Sequence, residues 1–286
     1  MPGSFLPEKD ILILHRQNPV AKYMSPEAQA ANPHFHYQYE MVLNVRGDAD
    51  YCISGAMYHA DPCSLLLMSN MENHYIVRHS VGYDRFTLRF STELLAAFLR
   101  DPLLLSIFKQ RPEGFSHLYL CEADEFEQYV HLARLMLEEY KEQQFYWDQM
   151  IASKLLTILI SMYRRRTEVF PAHQSAESLG LIFGVQNYIE SNLQEDLSLE
   201  TVANQFFVNK YHLSHSFSKA TGYTFKRFVV TARLSKAKDL LINTSDEINA
   251  ISAQVGFGSV SHFIRSFRQM EGVSPLQYRN RARPKA

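Results

Sequence analysis

Four side chains in the first third of the chain have the chemistry of a binding site: His34, His36, Glu40 and, further on, His74. The spacing His34-x-His36-x3-Glu40 is even throughout, so on a β-strand all three side chains fall on one face. Imidazole and carboxylate grouped in this way can hydrogen-bond a polar organic molecule or ligate iron, manganese, nickel or zinc. Tyr23, Tyr37, Tyr39 and Tyr83 lie near them in sequence or along the same strands. Tyrosine rings beside polar groups suit stacking on a sugar, and serve equally well as core.

A second set lies near the C-terminus. Lys210, Tyr211, Ser214 and His215 share the outward face of one short helical segment, and Val260, Ser261, Arg265 and Arg268 share that of another. Opposite them stand Leu213 and Phe217, and Phe263 and Phe267, each pair spaced i, i+4 as a buried stripe requires. Hydroxyl, imidazole and guanidinium groups can address base edges in a major groove. Val260 cannot hydrogen-bond a base edge but can touch a thymine methyl.

The elements that carry these faces form a repeat. Leu197–Phe228 and Ile248–Tyr278 align at an offset of about fifty residues, with Leu213 matching Phe263, Phe217 matching Phe267, Gly222 matching Gly272 and Phe228 matching Tyr278. Each copy reads as a short helix, a tight turn, a second helix and a terminating glycine, which is a helix-turn-helix written twice. Ser198 and Asn209 are placed to cap helices, and Ser245 or Asp246 to cap the first helix of the second copy. Phe206-Phe207 occupies the first turn, Gly256-Phe257-Gly258 the second. A longer helix from about Thr224 to Ile242 joins the copies. The tail Arg279-x-Arg281-x-Arg283-x-Lys285 reads as a solvated end.

Residues 33–90 read as all-β, with short apolar runs such as Met41–Val45, Ser64–Met68 and Phe86–Phe90 separated by turn residues, the pattern of a small barrel or jelly roll. Short helices interrupted at Pro102 follow, with Thr92 a candidate cap. Amphipathic helices over 124–144 and 147–166 come next; they can cover the barrel or pair with a second copy of the chain. Residues 167–178 lack apolar periodicity and read as a linker. The expected architecture is α+β. A β-barrel domain with flanking helices spans 1–166, the linker 167–178, and an all-α domain 179–286.

Charge follows this division. The 286-residue chain has a net charge of −1, yet residues 180–286 hold 13 Lys and Arg against 8 Asp and Glu, a balance of +5 that suits a polyanion. Cys52, Cys63 and Cys121 are far apart and odd in number, which fits free thiols in a reducing compartment, and no targeting or membrane-spanning segment is expected.

The barrel motif, with Gly47, Gly55 and Pro62 following Glu40, resembles the cupin sensor barrels of bacterial regulators. Two departures are Ser64, where a glycine is usual, and a Gly55-to-Pro62 spacing one residue too long. In metal-binding cupins, residues at the places of His34, His36, Glu40 and His74 hold a divalent cation. In sensor barrels the same inward positions hold an organic effector. That second reading is favoured, with no cofactor, and it places His34, His36, Tyr37, Tyr39, Glu40 and His74 at the effector site. A metal and a purely structural cluster are its alternatives.

The C-terminal half resembles the DNA-binding domain of the AraC/XylS family of transcription regulators. Ala203, Leu213, Phe217, Gly222, Arg233, Ala237, Leu240-Leu241, Ile251, Val255-Gly256-Phe257, Phe263, Arg265, Phe267, Gly272, Ser274-Pro275 and Tyr278-Arg279 carry the resemblance. It implies two helix-turn-helix units in successive major grooves, with Tyr211, Ser214, His215, Val260, Ser261 and Arg265 reading bases. It further implies a cytoplasmic homodimer that activates transcription at promoter DNA through RNA polymerase in response to a small molecule, such as a sugar or related metabolite. Such a protein is not an enzyme and engages no membrane. The alternative is a metal-dependent cupin enzyme fused to a DNA-binding module.

Overall fold

The computed structural model describes residues 11–18, 20, 22, 23, 38–69, 72–91, 94, 102–111, 114–170 and 176–282. His34, His36, Tyr37 and Thr92 lie outside them. The fold is α+β, and two compact units can be separated: the first includes Gln38–Lys109 and Gly114–Ala172, the second His173–Ala286.

The first unit is built on two antiparallel sheets. The larger has the order β1 (Ile11–Asn18), β8 (Tyr83–Phe90), β3 (Tyr39–Arg46), β6 (Ser64–Met68), β9 (Leu118–Leu120). The smaller runs β2 (Lys22–Tyr23), β7 (His74–His79), β4 (Ala49–Ile53), β5 (Ala56–Ala60). A core of Val42, Leu66, Met68 and Tyr83 from one sheet and Ala49, Tyr51, Ile53 and Ala60 from the other fills the space between them. β3, β6 and β8 are buried on nearly every residue because both their faces are covered. Helices α1 (Ser106–Lys109), packed on β6, and α2 (Ala123–Glu142), packed on β1 and β8, cover the outer face. α3 (Trp147–Arg165) pairs along α2.

β1 and β5 were not resolved by the residue pattern. In β1 only Ile11 and Ile13 are fully buried and His15-Arg16-Gln17 near its end are exposed, so its alternation is truncated at an edge. β5 is an exposed edge strand with little apolar signal. Ordered structure also runs into the expected linker: Thr167–Val169 forms a single 3-10 turn, Phe170 is fully buried with its edge against Tyr163, and the next helix begins at Ala176.

The second unit is all helical: α4 (Ala176–Ser191), α5 (Leu199–Gln205), α6 (Lys210–Thr221), α7 (Phe225–Asn243), α8 (Ile248–Gln254), α9 (Val260–Glu271) and α10 (Pro275–Ala282). Leu234, Ala237 and Leu241 of α7 pack with Ile251, Val255, Phe257, Phe263 and Phe267 as one core. The tail is helical through Ala282, and Arg279 is not a solvated end. Its guanidinium donates to the Leu241 carbonyl at 3.2 Å and the Asp246 carbonyl at 2.7 Å, satisfying acceptors where α7 ends.

Candidate nucleic-acid interface and barrel interior

Side-chain caps start three of the four helices of the two helix-turn-helix units, and the joining helix as well. Ser198 accepts from the Thr201 amide at the start of α5, and Asn209 accepts from the Tyr211 and His212 amides at the start of α6. Thr224 accepts from Arg227 at the start of α7, and Ser259 from His262 at the start of α9. α8 differs from expectation. Its N-cap is Glu247, with no side-chain cap bond; Ser245 and Asp246 lie before it. α6 and α9 both end on a left-handed glycine, Gly222 and Gly272.

The two turns superpose in kind despite their different residues. In the first, Phe207 is left-handed at φ 54° and the Val208 amide bonds the Ala203 carbonyl at 2.9 Å. In the second, Gly256 is left-handed at φ 84° and the Phe257 amide bonds the Ser252 carbonyl at 3.0 Å. The absence of glycine from the first turn therefore does not alter its geometry. Phe207 is 95% exposed, so its side chain has room. A Cβ on Gly256 would lie 2.0 Å from the Leu193 carbonyl oxygen and 3.0 Å from the Arg233 guanidinium, so that turn admits only glycine. Arg233 in turn donates to the carbonyls of Leu193 (3.0 Å) and Glu195 (2.9 Å), holding the loop that roofs the turn.

With Leu213, Phe217, Phe263 and Phe267 buried, α6 and α9 turn their other faces outward. Tyr211 and His215 are exposed on α6, while Lys210 and Ser214 are partly exposed. The Lys210 ammonium lies 3.4 Å from Glu200, so part of its charge is met within the protein. On α9, Ser261, Arg265 and Arg268 are exposed and Val260 is partly so. Ser261, Ile264, Arg265, Arg268 and Gln269 line a shallow concavity along that helix. Among the described residues neither Arg265 nor Arg268 has an ion-pair partner, which leaves both guanidinium groups available to an external anion. The scaffold beneath is held by a buried pair, Lys238 of α7 and Glu271 of α9, at 2.9 Å. Burial pushes the Lys238 amine down and the Glu271 carboxyl up, each opposed by the other's charge.

In the barrel, the register of β3 places Glu40, Val42 and Asn44 on the face turned to the opposite sheet. Glu40 is buried, 2.7 Å from Arg89 Nε and 3.4 Å from His74 Nε2. The His74 Nδ1 meets the Glu72 carbonyl at 2.9 Å. Glu40 and His74 are thus brought together, and Arg89 joins them. Tyr39, one residue from Glu40, lies on the opposite face. It is buried against Phe90 and Phe108, a core position rather than one facing the interior, because alternation reverses at each step. Tyr83 does face the interior, and its hydroxyl lies 2.7 Å from that of Tyr51. Arg85, Arg89 and Tyr51 were missed in the sequence, where arginine in a barrel strand reads as a solvent-facing residue.

Two family models match. The AraC-like ligand binding domain matches residues 23–158, and a helix-turn-helix domain matches residues 202–281. The chain belongs to the AraC family. Regulatory protein PocR of Salmonella typhimurium is 36% identical over 92 residues, 32% of this chain and 30% of that protein. An uncharacterized HTH-type transcriptional regulator of Staphylococcus aureus is 30% identical over 150 residues, 52% of this chain and 19% of that protein. The chain thus spans less than a third of the length of these curated relatives. Among solved structures, an apo ToxT variant from Vibrio cholerae matches with a TM-score of 0.59 at 16% identity, covering 94% of this chain and 97% of that one. ToxT from Vibrio cholerae O395 gives 0.58 at 15% identity over 97% and 100%. At such identity these show the shared fold. The matched domains are a ligand-binding and a helix-turn-helix domain, and the relatives are named as regulators, not as enzymes. No helix among the described residues is long and apolar enough to cross a membrane.

Proposed function

We propose that this chain is an effector-responsive transcription regulator that binds double-stranded promoter DNA through α6 and α9. The observation that carries this reading is the pair of equivalent helix-turn-helix units, each with a capped second helix that turns a polar face outward beside a buried apolar core. Tyr211, Ser214, His215, Ser261 and Arg265 read base edges, Val260 contacts a thymine methyl, and Lys210 and Arg268 serve phosphate. The barrel of residues 1–166 holds the effector, a small organic molecule such as a sugar or related metabolite, with His34, His36, Tyr37, Glu40 and His74 among the contacts. Residues 167–178 connect it to the DNA-binding half, 179–286. Binding shifts the population of DNA-competent states.

The protein acts in the cytoplasm as a homodimer and activates through RNA polymerase. Dimerisation is supported by the apolar corner between α2 and α3, where Phe145, Tyr146 and Met150 are all exposed. Mobility-shift and transcription assays on a promoter fragment, with and without compounds that bind the barrel, test the reading. Binding of such a compound with no change in DNA affinity, footprint or transcript level would sink the sensing claim.

A further inference from the structure

The interior of the barrel carries a positive charge that no carboxylate among the described residues answers. Arg85 is only 8% exposed. Its register opposite Asn44 places it on the interior face of β8, together with Tyr83, Thr87 and Arg89. Its guanidinium donates to Asn18 Oδ1 at 3.0 Å and lies 4.9 Å from the centre of the Tyr83 ring. These neutral partners satisfy hydrogen bonds and leave the charge unmatched.

The neighbouring carboxylates are taken. Glu40 is held by Arg89, Asp84 by His15 and Gln17 on the opposite face, and Asp48 and Asp50 by Arg78. Arg16 stands directly across from Arg85 in the β1–β8 pair, on the same face, and among the described residues it too has no ion-pair partner. Two like charges opposed across a strand pair repel, and a buried charge ordinarily comes with its counterion.

A donor lies next to them. The hydroxyls of Tyr51 and Tyr83 share one hydrogen bond between two protons, so one phenolic proton is left to give. Burial pushes both phenols above the ordinary tyrosine value, so they remain protonated donors at neutral pH.

We propose that the effector is a small organic anion, its carboxylate or phosphate group held by Arg85 and Arg16 with a hydroxyl of the Tyr51–Tyr83 pair. This rests on the barrel being the effector site. It narrows the effector to acids and phosphate esters, sugar acids and sugar phosphates included.

The test uses the full chain and matched probes: glucose, glucuronate and glucose 6-phosphate, then a wider panel of neutral compounds, carboxylates and phosphate monoesters. Binding is read by thermal shift and calorimetry. Saturable binding is expected for anionic members and not for their neutral counterparts. The carboxylate and phosphate arms distinguish the two sources of the charge. Arg85→Gln should weaken the best anion at least about tenfold, the scale of a lost charge-assisted contact. Arg16→Gln, at an exposed edge, should weaken it as well without threatening the fold, and Arg85→Lys should retain part of the affinity. A panel in which only neutral compounds bind, or none does, overturns the proposal, as does an anion whose affinity both glutamine variants leave unchanged. A neutral compound that alters DNA binding would defeat the anion and spare the regulator. An anion that binds through Arg85 without altering DNA binding would do the reverse.

Discussion

The two glycine-to-phenylalanine alternatives at the turns separate backbone strain from crowding. Phe207 and Gly256 share a left-handed conformation, yet only Gly256 lies beneath a carbonyl. Gly256→Ala should therefore destabilise the protein by about 2–4 kcal/mol, adding displacement of backbone to the strain of the conformation. Phe207→Gly exchanges mild strain for chain entropy and should shift stability by less than about 1 kcal/mol. Chemical denaturation of the two variants checks the contrast, and an equal loss would mean the roof over Gly256 yields freely. On the outward face, Arg265→Ala should cost about 1–3 kcal/mol on operator DNA if its guanidinium reads a guanine. A loss of the same size on random DNA would make Arg265 a phosphate contact. The outward placement of these residues was legible because polar side chains at helical spacing opposite a buried apolar pair fall on the exposed face. The placement of Arg85 was not legible, since it depends on strands almost seventy residues apart pairing side by side in one sheet.

At the level of elements, a buried ion pair ties α7 to α9 in the DNA-binding unit. Lys238→Met should cost about 3–5 kcal/mol, since it strands the buried Glu271 carboxylate, whereas Lys238→Met with Glu271→Leu should recover most of that loss. Thermal melts of the single and double variants decide it; a double variant no better than the single one would show that the pair is needed for more than charge balance. Helices α2, α3, α6, α7 and α9 were readable to within a few residues from caps and apolar stripes. β1, β5 and β9 were not, because an edge strand or a three-residue strand buries too little for its alternation to show. The cap of α8 misled for a related reason: Ser245 and Asp246 are good cap residues, but the chain stays extended through Glu247 before turning into the helix.

At the level of the whole molecule, the charge division and the two free guanidinium groups of α9 predict salt-dependent association. The slope of log affinity against log salt should fall by about 1 for each of Arg265 and Arg268 that contacts phosphate when replaced by alanine. Titrations at several salt concentrations measure this, and unchanged slopes would place both side chains off the phosphates. A last consequence comes from the Arg233 clamp. The loop before α5 belongs to the first helix-turn-helix, yet it is the lid over the turn of the second, and Arg233 of the joining helix fastens it there. The two helices that we propose read DNA are therefore tied by this lock as well as by the length of α7, which makes the unit a gauge of fixed spacing in that proposal. Such a gauge tolerates substitutions in its target better than insertions. One added base pair between the two half-sites turns the second away by about 35°, and a clamped pair cannot follow.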